Sequence, residues 1–186
     1  MGDELMGHFV KWKLDLFYAY RKPEGKVLDL GSGKGELREK MLDKERYFGV
    51  DINPEFTSEP KQIKQADITK VLPYENETFS LVWCSHLLEH LLPVDQAKLM
   101  KEIYRVLVPG GKLIVFTPAY NPFFFDEWQH IRPHTGDSLK TLANHCKLLP
   151  VIYKYSLLRS LPDKWQNKLR WFLFPLLWEI YGVFEK

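Results

Sequence analysis

Residues 29–35 read Asp-Leu-Gly-Ser-Gly-Lys-Gly, directly after the short apolar run Lys26-Val27-Leu28-Asp29-Leu30. An apolar run that stops in clustered glycines is the mark of a buried strand entering a tight turn. Without side chains in the way, the turn's backbone can approach a ligand closely. The acid Asp51 follows Gly31 by 20 positions, at the end of the next apolar run Tyr47-Phe48-Gly49-Val50-Asp51-Ile52. A carboxylate there can accept hydrogen bonds from both hydroxyls of a ribose, so loop and acid together predict a nucleotide or nucleoside site. The spacing departs from the dinucleotide fingerprint G-x-G-x-x-G. The third glycine, Gly35, comes one residue early, and Glu36 stands where that fingerprint wants glycine. A pyrophosphate is unwelcome beside a carboxylate. The Walker pattern is also missing, which argues against nucleoside triphosphate hydrolysis.

The rest of the chain alternates between strand and helix signals. Strands are predicted over residues 26–30, 47–52, 62–67, 80–84, 112–116 and 149–155, with a possible last strand over 180–185. Helices are predicted over 5–21, 36–43, 95–107, 138–146 and 163–178. The helix over 95–107 has the clearest amphipathic period and Pro93 just ahead of it. Asp137 is the expected cap of the helix over 138–146, Pro109-Gly110-Gly111 reads as a turn, and 53–60 reads as a loop or one turn. Alternation of this kind predicts an α/β fold, because parallel strands need crossover connections. With 186 residues, one core is expected to hold everything, so 1–186 forms a single domain. Within it, 1–22 is a helical lead segment, 24–118 the core and 119–186 the later loops, helices and strands.

Composition narrows the function classes. The 26 basic and 24 acidic residues leave a net charge of +2, too small a field to imply nucleic acid as a partner. Neither Cys84 nor Cys146 has a metal-type or disulfide-type spacing, so both read as buried thiols in a reducing, cytoplasmic setting. The first residues carry acids and no long apolar run, so no signal peptide or membrane start is expected.

Five segments in order, VLDLGSGKGEL, GVDIN, QADI, FSLVWCSHLLEHL and EIYRVLVPGGKLIVFTP, cover residues 24–118. They resemble the motifs of class I S-adenosylmethionine-dependent methyltransferases of the type 11 kind. The resemblance implies a Rossmann-like three-layer αβα sandwich with a mostly parallel seven-stranded sheet and S-adenosylmethionine as cofactor. It implies that Asp29 and the backbone of Gly31, Ser32, Gly33 and Gly35 hold the amino acid moiety of the cofactor. Asp51 would take the ribose, with Ile52 against the adenine. Asp67 would meet the adenine amino group with Ile68 beside it, and Cys84, Ser85 and His86 would lie near the sulfur. The implied activity is in-line methyl transfer.

The acceptor sits in variable loops and is expected to be a small molecule or glycan. The segment from His130 through Arg132 to His134 resembles an H-x-R-P-(aromatic)-T stretch of some members, with His134 where an aromatic is usual. All three are candidate acceptor contacts, and His130 is the candidate base for a hydroxyl acceptor. His86-Leu87-Leu88-Glu89-His90 matches the inverted zinc-peptidase motif H-x-x-E-H. Its strand-then-helix setting and the lack of an assignable third ligand leave the expected metal as none, with a zinc hydrolase the least favoured reading. A non-catalytic module that holds cofactor or partner is the other alternative. The aromatic stretch 164–178 either caps the pocket or sheet edge, or touches a membrane surface. The lead helix is read either as a lid or as packing on the sheet. Oligomeric state is left open.

Overall fold

The computed structural model describes residues 2–53, 62–121, 123–155, 165 and 179–186. Seven strands form one sheet: β1 (Val27–Leu30), β2 (Tyr47–Asp51), β3 (Ile63–Gln65), β4 (Phe79–Ser85), β5 (Leu107–Pro118), β6 (Leu149–Tyr155) and β7 (Glu179–Glu185). Their spatial order is β3-β2-β1-β4-β5-β7-β6. All pairings are parallel except those of β7, which runs antiparallel to both β5 and β6. The chain builds outward from β1 through β2 to β3, then returns to the other side of β1 with β4. This reversal opens a crevice beyond the carboxyl ends of β1 and β4, where ligands bind in open α/β sheets.

Strand periodicity assigns the two faces. Leu28, Leu30, Val82, Cys84, Leu113 and Val115 face one way, against Leu99, Met100 and Ile103 of α3 (Pro93–Val106) and Leu139 and Ala143 of α4 (Gly136–His145). Val27, Leu81, Trp83, Ile114 and Phe116 face the other way, against Trp12 and Phe17 of α1 (Gly2–Tyr20) and Leu37 of α2 (Glu36–Lys40). Trp12 meets Phe116 edge-on at 5.6 Å and Phe17 meets Trp83 at 5.8 Å. Such aromatic pairs add about 0.5–1.5 kcal/mol each beyond burial. The lead helix therefore packs on the sheet.

Several boundaries move from their sequence-based positions. The helix over 36–43 stops at Lys40, because Met41 is already extended and bonds back to the Arg38 carbonyl. The third strand shrinks to three residues, which leaves Asp67 in the loop behind it. Pro109-Gly110-Gly111 is no free turn: it lies inside β5 as an irregularity, where pairing jumps from Phe79–Leu107 to Leu81–Lys112 and Gly110 takes φ 71°. α4 is capped by Thr135, not Asp137. Its hydroxyl accepts from Ser138 N at 3.2 Å, and the Ser138 hydroxyl accepts from Thr135 N at 2.9 Å, a reciprocal pair that satisfies two helix-end donors. The predicted loop over 53–60 lies outside the described residues beyond Asn53, as does the predicted helix over 163–178 except Trp165. Among the described residues, no helix is long and apolar enough to cross a membrane.

Candidate cofactor site

The glycine turn leaves β1 with three left-handed residues, Gly31, Gly33 and Gly35, at φ 69°, 49° and 79°. Gly31 needs its freedom twice over, since a Cβ there would also stand 3.1 Å from Leu87. Gly31 N and Ser32 N donate to the Val50 carbonyl at 2.9 and 3.1 Å, which stitches the turn to β2. Asp51 completes the stitch: Oδ2 accepts from Gly33 N at 2.9 Å, and Oδ1 accepts from Asn53 N at 2.9 Å. Beneath the turn, Gly49 leaves room for Ser32, for a Cβ would fall 2.7 Å from Ser32 Oγ and 2.9 Å from Ile63 Cγ1. Gly49→Val is accordingly expected to cost about 1–3 kcal/mol by overpacking. Urea unfolding should show it as a lower midpoint, with Gly49→Ala lying between variant and parent.

Asp29 is buried at the start of the turn and accepts from the Tyr47 hydroxyl at 2.9 Å. Desolvation raises its pKa to about 7, with Tyr47 opposing and the charges of Asp51 and Glu36 adding. Burial in turn pushes the Tyr47 phenol up, so it remains a donor. Asp29 pairs with Trp83 across β1 and β4, and both face a cavity of about 590 Å³. Gly31, Ser32 and Gly33 form its glycine side, Ser85 and His86 its β4 side, and Lys13 and Leu14 of α1 close it opposite. The lead helix is thus both sheet packing and pocket wall. A Cβ on Gly33 would meet nothing within 4 Å, so the turn presents open backbone to that cavity.

His86, half exposed, adopts φ 52° and holds its place through N–H donation to the Phe116 carbonyl at 2.9 Å. Burial disfavours its imidazolium, but Glu179 Oε1 at 2.9 Å and Glu89 Oε1 at 3.4 Å outweigh this and hold the pKa at about 9. Lys13 also pairs with Glu179 and lies 4.5 Å above the Phe116 ring. Two cationic groups, His86 and Lys13, two buried carboxylates and an indole therefore gather at the β4 end of the cavity.

Not every sequence candidate reaches this space. Cys84 and Ile68 belong by their side chains to the core on the α3 face, and burial pushes the Cys84 thiol up. Asp51 ends β2, Ile52 and Asp67 follow β2 and β3, and all three lie outside the cavity lining. Ile52 is exposed, while Asp67 Oδ1 accepts from both the Thr69 amide at 2.9 Å and its hydroxyl at 2.7 Å, which holds its pKa down. His134 is 1% exposed, sits 3.2 Å from Gln96 Nε2, and its carbonyl accepts from Tyr120 N, so it pins the loop. Burial, then the charge of Arg132, push its pKa down to about 4, which keeps it neutral. Arg132 is exposed, and His130 is half-buried against Phe124, away from the cavity lining. Sequence reasoning missed Lys13, Trp83 and Glu179, which come from opposite ends of the chain and the middle.

A model for the methyltransferase domain matches residues 28–115. The chain is 26% identical over 157 residues to the ubiquinone/menaquinone biosynthesis C-methyltransferase UbiE of Vibrio vulnificus, covering 69% of this chain and 60% of that protein. An uncharacterized protein of Methanocaldococcus jannaschii is 30% identical over 167 residues, with 83% of this chain and 72% of that protein covered. Among solved structures, a SAM dependent methyltransferase from Archaeoglobus fulgidus superposes with TM-score 0.72 at 21% identity, over 96% of this chain and 94% of the other.

Proposed function

The chain belongs to the class I S-adenosylmethionine-dependent methyltransferases, whose cofactor is S-adenosylmethionine, and from that premise we propose that it transfers the cofactor's methyl group in line to a small molecule or glycan. One observation carries this reading. The left-handed glycine turn, tied to Asp51 through Gly33 N, opens on a large cavity at the point where strand order reverses. The residues suit the cofactor's chemistry: a buried carboxylate for an ammonium, a glycine turn bare of side chains against which the amino acid end can lie, and an acid at the end of β2 for a ribose.

In this reading Asp29 with Gly31, Ser32, Gly33 and Gly35 holds the amino acid end. Asp51 holds the ribose, Ile52 and the backbone of Ile68 flank the adenine, and Asp67 receives the adenine amino group. Ser85 and His86 border the sulfur, beside the backbone of Cys84. The acceptor enters where Trp83, His86 and Lys13 meet. When bound, the cofactor supplies an already activated methyl group. The protein's own task is alignment and exclusion of water, and alignment of this kind is worth about 7–11 kcal/mol in favourable intramolecular reactions. The half-exposed His86 cation, held by Glu179 and Glu89, suits an acceptor with a polar head, while Trp83 and Leu14 suit an apolar body. The relative named for quinone biosynthesis supports a small organic acceptor. Two buried free thiols, Cys84 and Cys146, suit a cytoplasmic place of work.

The test combines binding with turnover. S-adenosylhomocysteine at 100 times its dissociation constant should stabilise the protein by about 2.7 kcal/mol. Mass spectrometry of a panel of quinols, sterols, small amines and glycans incubated with S-adenosylmethionine should then reveal a product heavier by one methylene. Binding without product across a panel of this breadth would favour a non-catalytic module. Absence of binding would sink the methyltransferase reading and any module that holds the cofactor.

A further inference from the structure

We propose that Glu89, His90 and His130 form a binding site for a divalent transition-metal ion of the zinc class. The two histidines lie 40 positions apart in sequence. They meet because Ile131 N and Arg132 N donate to the Glu89 carbonyl at 2.8 and 3.4 Å, which docks the loop after β5 onto the turn Leu88–His90. One ligand atom from each of the three residues falls within 4.8 Å of the others.

Three features distinguish this trio from a chance cluster. His90 Nδ1 lies 3.2 Å from the Gln129 carbonyl oxygen, and His130 Nδ1 lies 2.8 Å from that of Phe124. A carbonyl only accepts, so each Nδ1 carries the proton and each Nε2 keeps a lone pair. This is how proteins orient metal-binding imidazoles. Glu89 is fully buried: Oε2 accepts from Thr117 Oγ1 at 3.1 Å, whereas Oε1 makes no hydrogen bond among the described residues. Its ionic neighbour His86 Nδ1 stands at 3.4 Å, too long for a good hydrogen bond. That oxygen is ion-paired with His86 but has no hydrogen bond, and a coordinated cation would complete its surroundings.

Two imidazoles and one carboxylate suit zinc-class ions, while magnesium and calcium require oxygen ligands. Three protein ligands leave a fourth position for water or another molecule. Ligand atoms around zinc stand about 3.4 Å apart, so atoms that already lie within 4.8 Å of one another would draw closer by no more than about 1.4 Å on binding. The site is not the H-x-x-E-H motif of the sequence. His86 is held by Glu179 and bends the backbone into the left-handed region, and the second imidazole comes from the loop after β5. A bound ion would fasten that loop to the end of β4.

The experiment titrates chelator-stripped full-length protein with Zn²⁺ and with Co²⁺, by calorimetry and by visible ligand-field absorption. One equivalent is expected to bind, undisturbed by excess Mg²⁺. His90→Asn and His130→Asn should each weaken Zn²⁺ by more than the roughly 10–100-fold that loss of an outer hydrogen-bond partner costs, and His86→Asn by clearly less. S-adenosylhomocysteine binding, measured in parallel, reports folding and stands or falls separately. If a histidine variant fails that control, Glu89→Gln, which keeps the Thr117 bond, decides the case by weakening Zn²⁺ or not. The site is overturned if parent protein that binds S-adenosylhomocysteine takes up neither ion, if Mg²⁺ displaces them, or if the His90, His130 and Glu89 variants bind Zn²⁺ as the parent does. Loss centred on His86 and His90 would overturn it in favour of the sequence motif.

Discussion

Asp51→Ala is expected to weaken S-adenosylhomocysteine by about 30- to 900-fold, the equivalent of roughly 2–4 kcal/mol. The carboxylate accepts from Gly33 N and Asn53 N, one bond to each oxygen. Each oxygen retains a second lone-pair site, so the group can fix the turn and still receive a ribose. Hydrogen bonds to charged groups are worth about 1.5–3 kcal/mol each, and alanine removes the turn's anchor together with the ligand's. In thermal unfolding, a ligand concentration that stabilises the parent by about 2.7 kcal/mol should stabilise a variant 100-fold weaker by only about 0.4 kcal/mol. Asp51→Asn should fall between, because the amide keeps one acceptor and loses the charge. A variant whose affinity matches the parent's would remove the ribose from Asp51.

That turn was legible in the sequence because it is local. Strand, glycines and acid follow one another within a short stretch, and each does its work through backbone conformation or one carboxylate. Most of the strands were legible for a similar reason, as apolar runs between breakers, whereas β3 has a single apolar residue, Ile63, among its three. The faces of those strands were not. β4 is buried at Phe79 through Cys84 on both sides, so no polar alternation separates Trp83, which lines the cavity, from Cys84, which faces α3. Glu179 and Lys13 meet only because β7 inserts antiparallel between β5 and β6 and α1 lies across the same face. Nothing local announces a pairing across 166 positions. His130 and His134 share one loop and one residue type, and only tertiary packing makes the second a buried pin. Thr135 and Asp137 are both good caps, and the choice fell to the residue whose partner Ser138 stands three positions on.

Asp29→Asn is expected to make the ligand-free protein more stable and the cofactor complex weaker, with both effects set by pH. The folded-state pKa of Asp29, about 7, lies above its ordinary value of 3.8, chiefly because burial penalises the charged form. Below 3.8 the carboxyl is protonated in both states and costs nothing. As pH rises towards 7 the unfolded chain ionises while the folded one keeps its proton, so stability is lost across that window and the loss is complete above it. The burial of that charge amounts to roughly 2–4 kcal/mol. Asparagine can still accept from Tyr47 and carries no charge. Urea unfolding at pH 8 should therefore show the variant more stable by about that amount, and at pH 4 nearly equal to the parent. Binding should move the other way. If Asp29 meets the cofactor's ammonium, the carboxylate is the competent form, and parent affinity falls by up to about tenfold per unit below pH 7 as a proton must first leave. The variant lacks that step, so the parent-to-variant affinity ratio, in which the ligand's own titration cancels, should shrink from pH 8 to pH 5.5. A constant ratio would detach Asp29 from the ammonium, and a variant no more stable than the parent at pH 8 would mean the buried charge is already compensated within the protein.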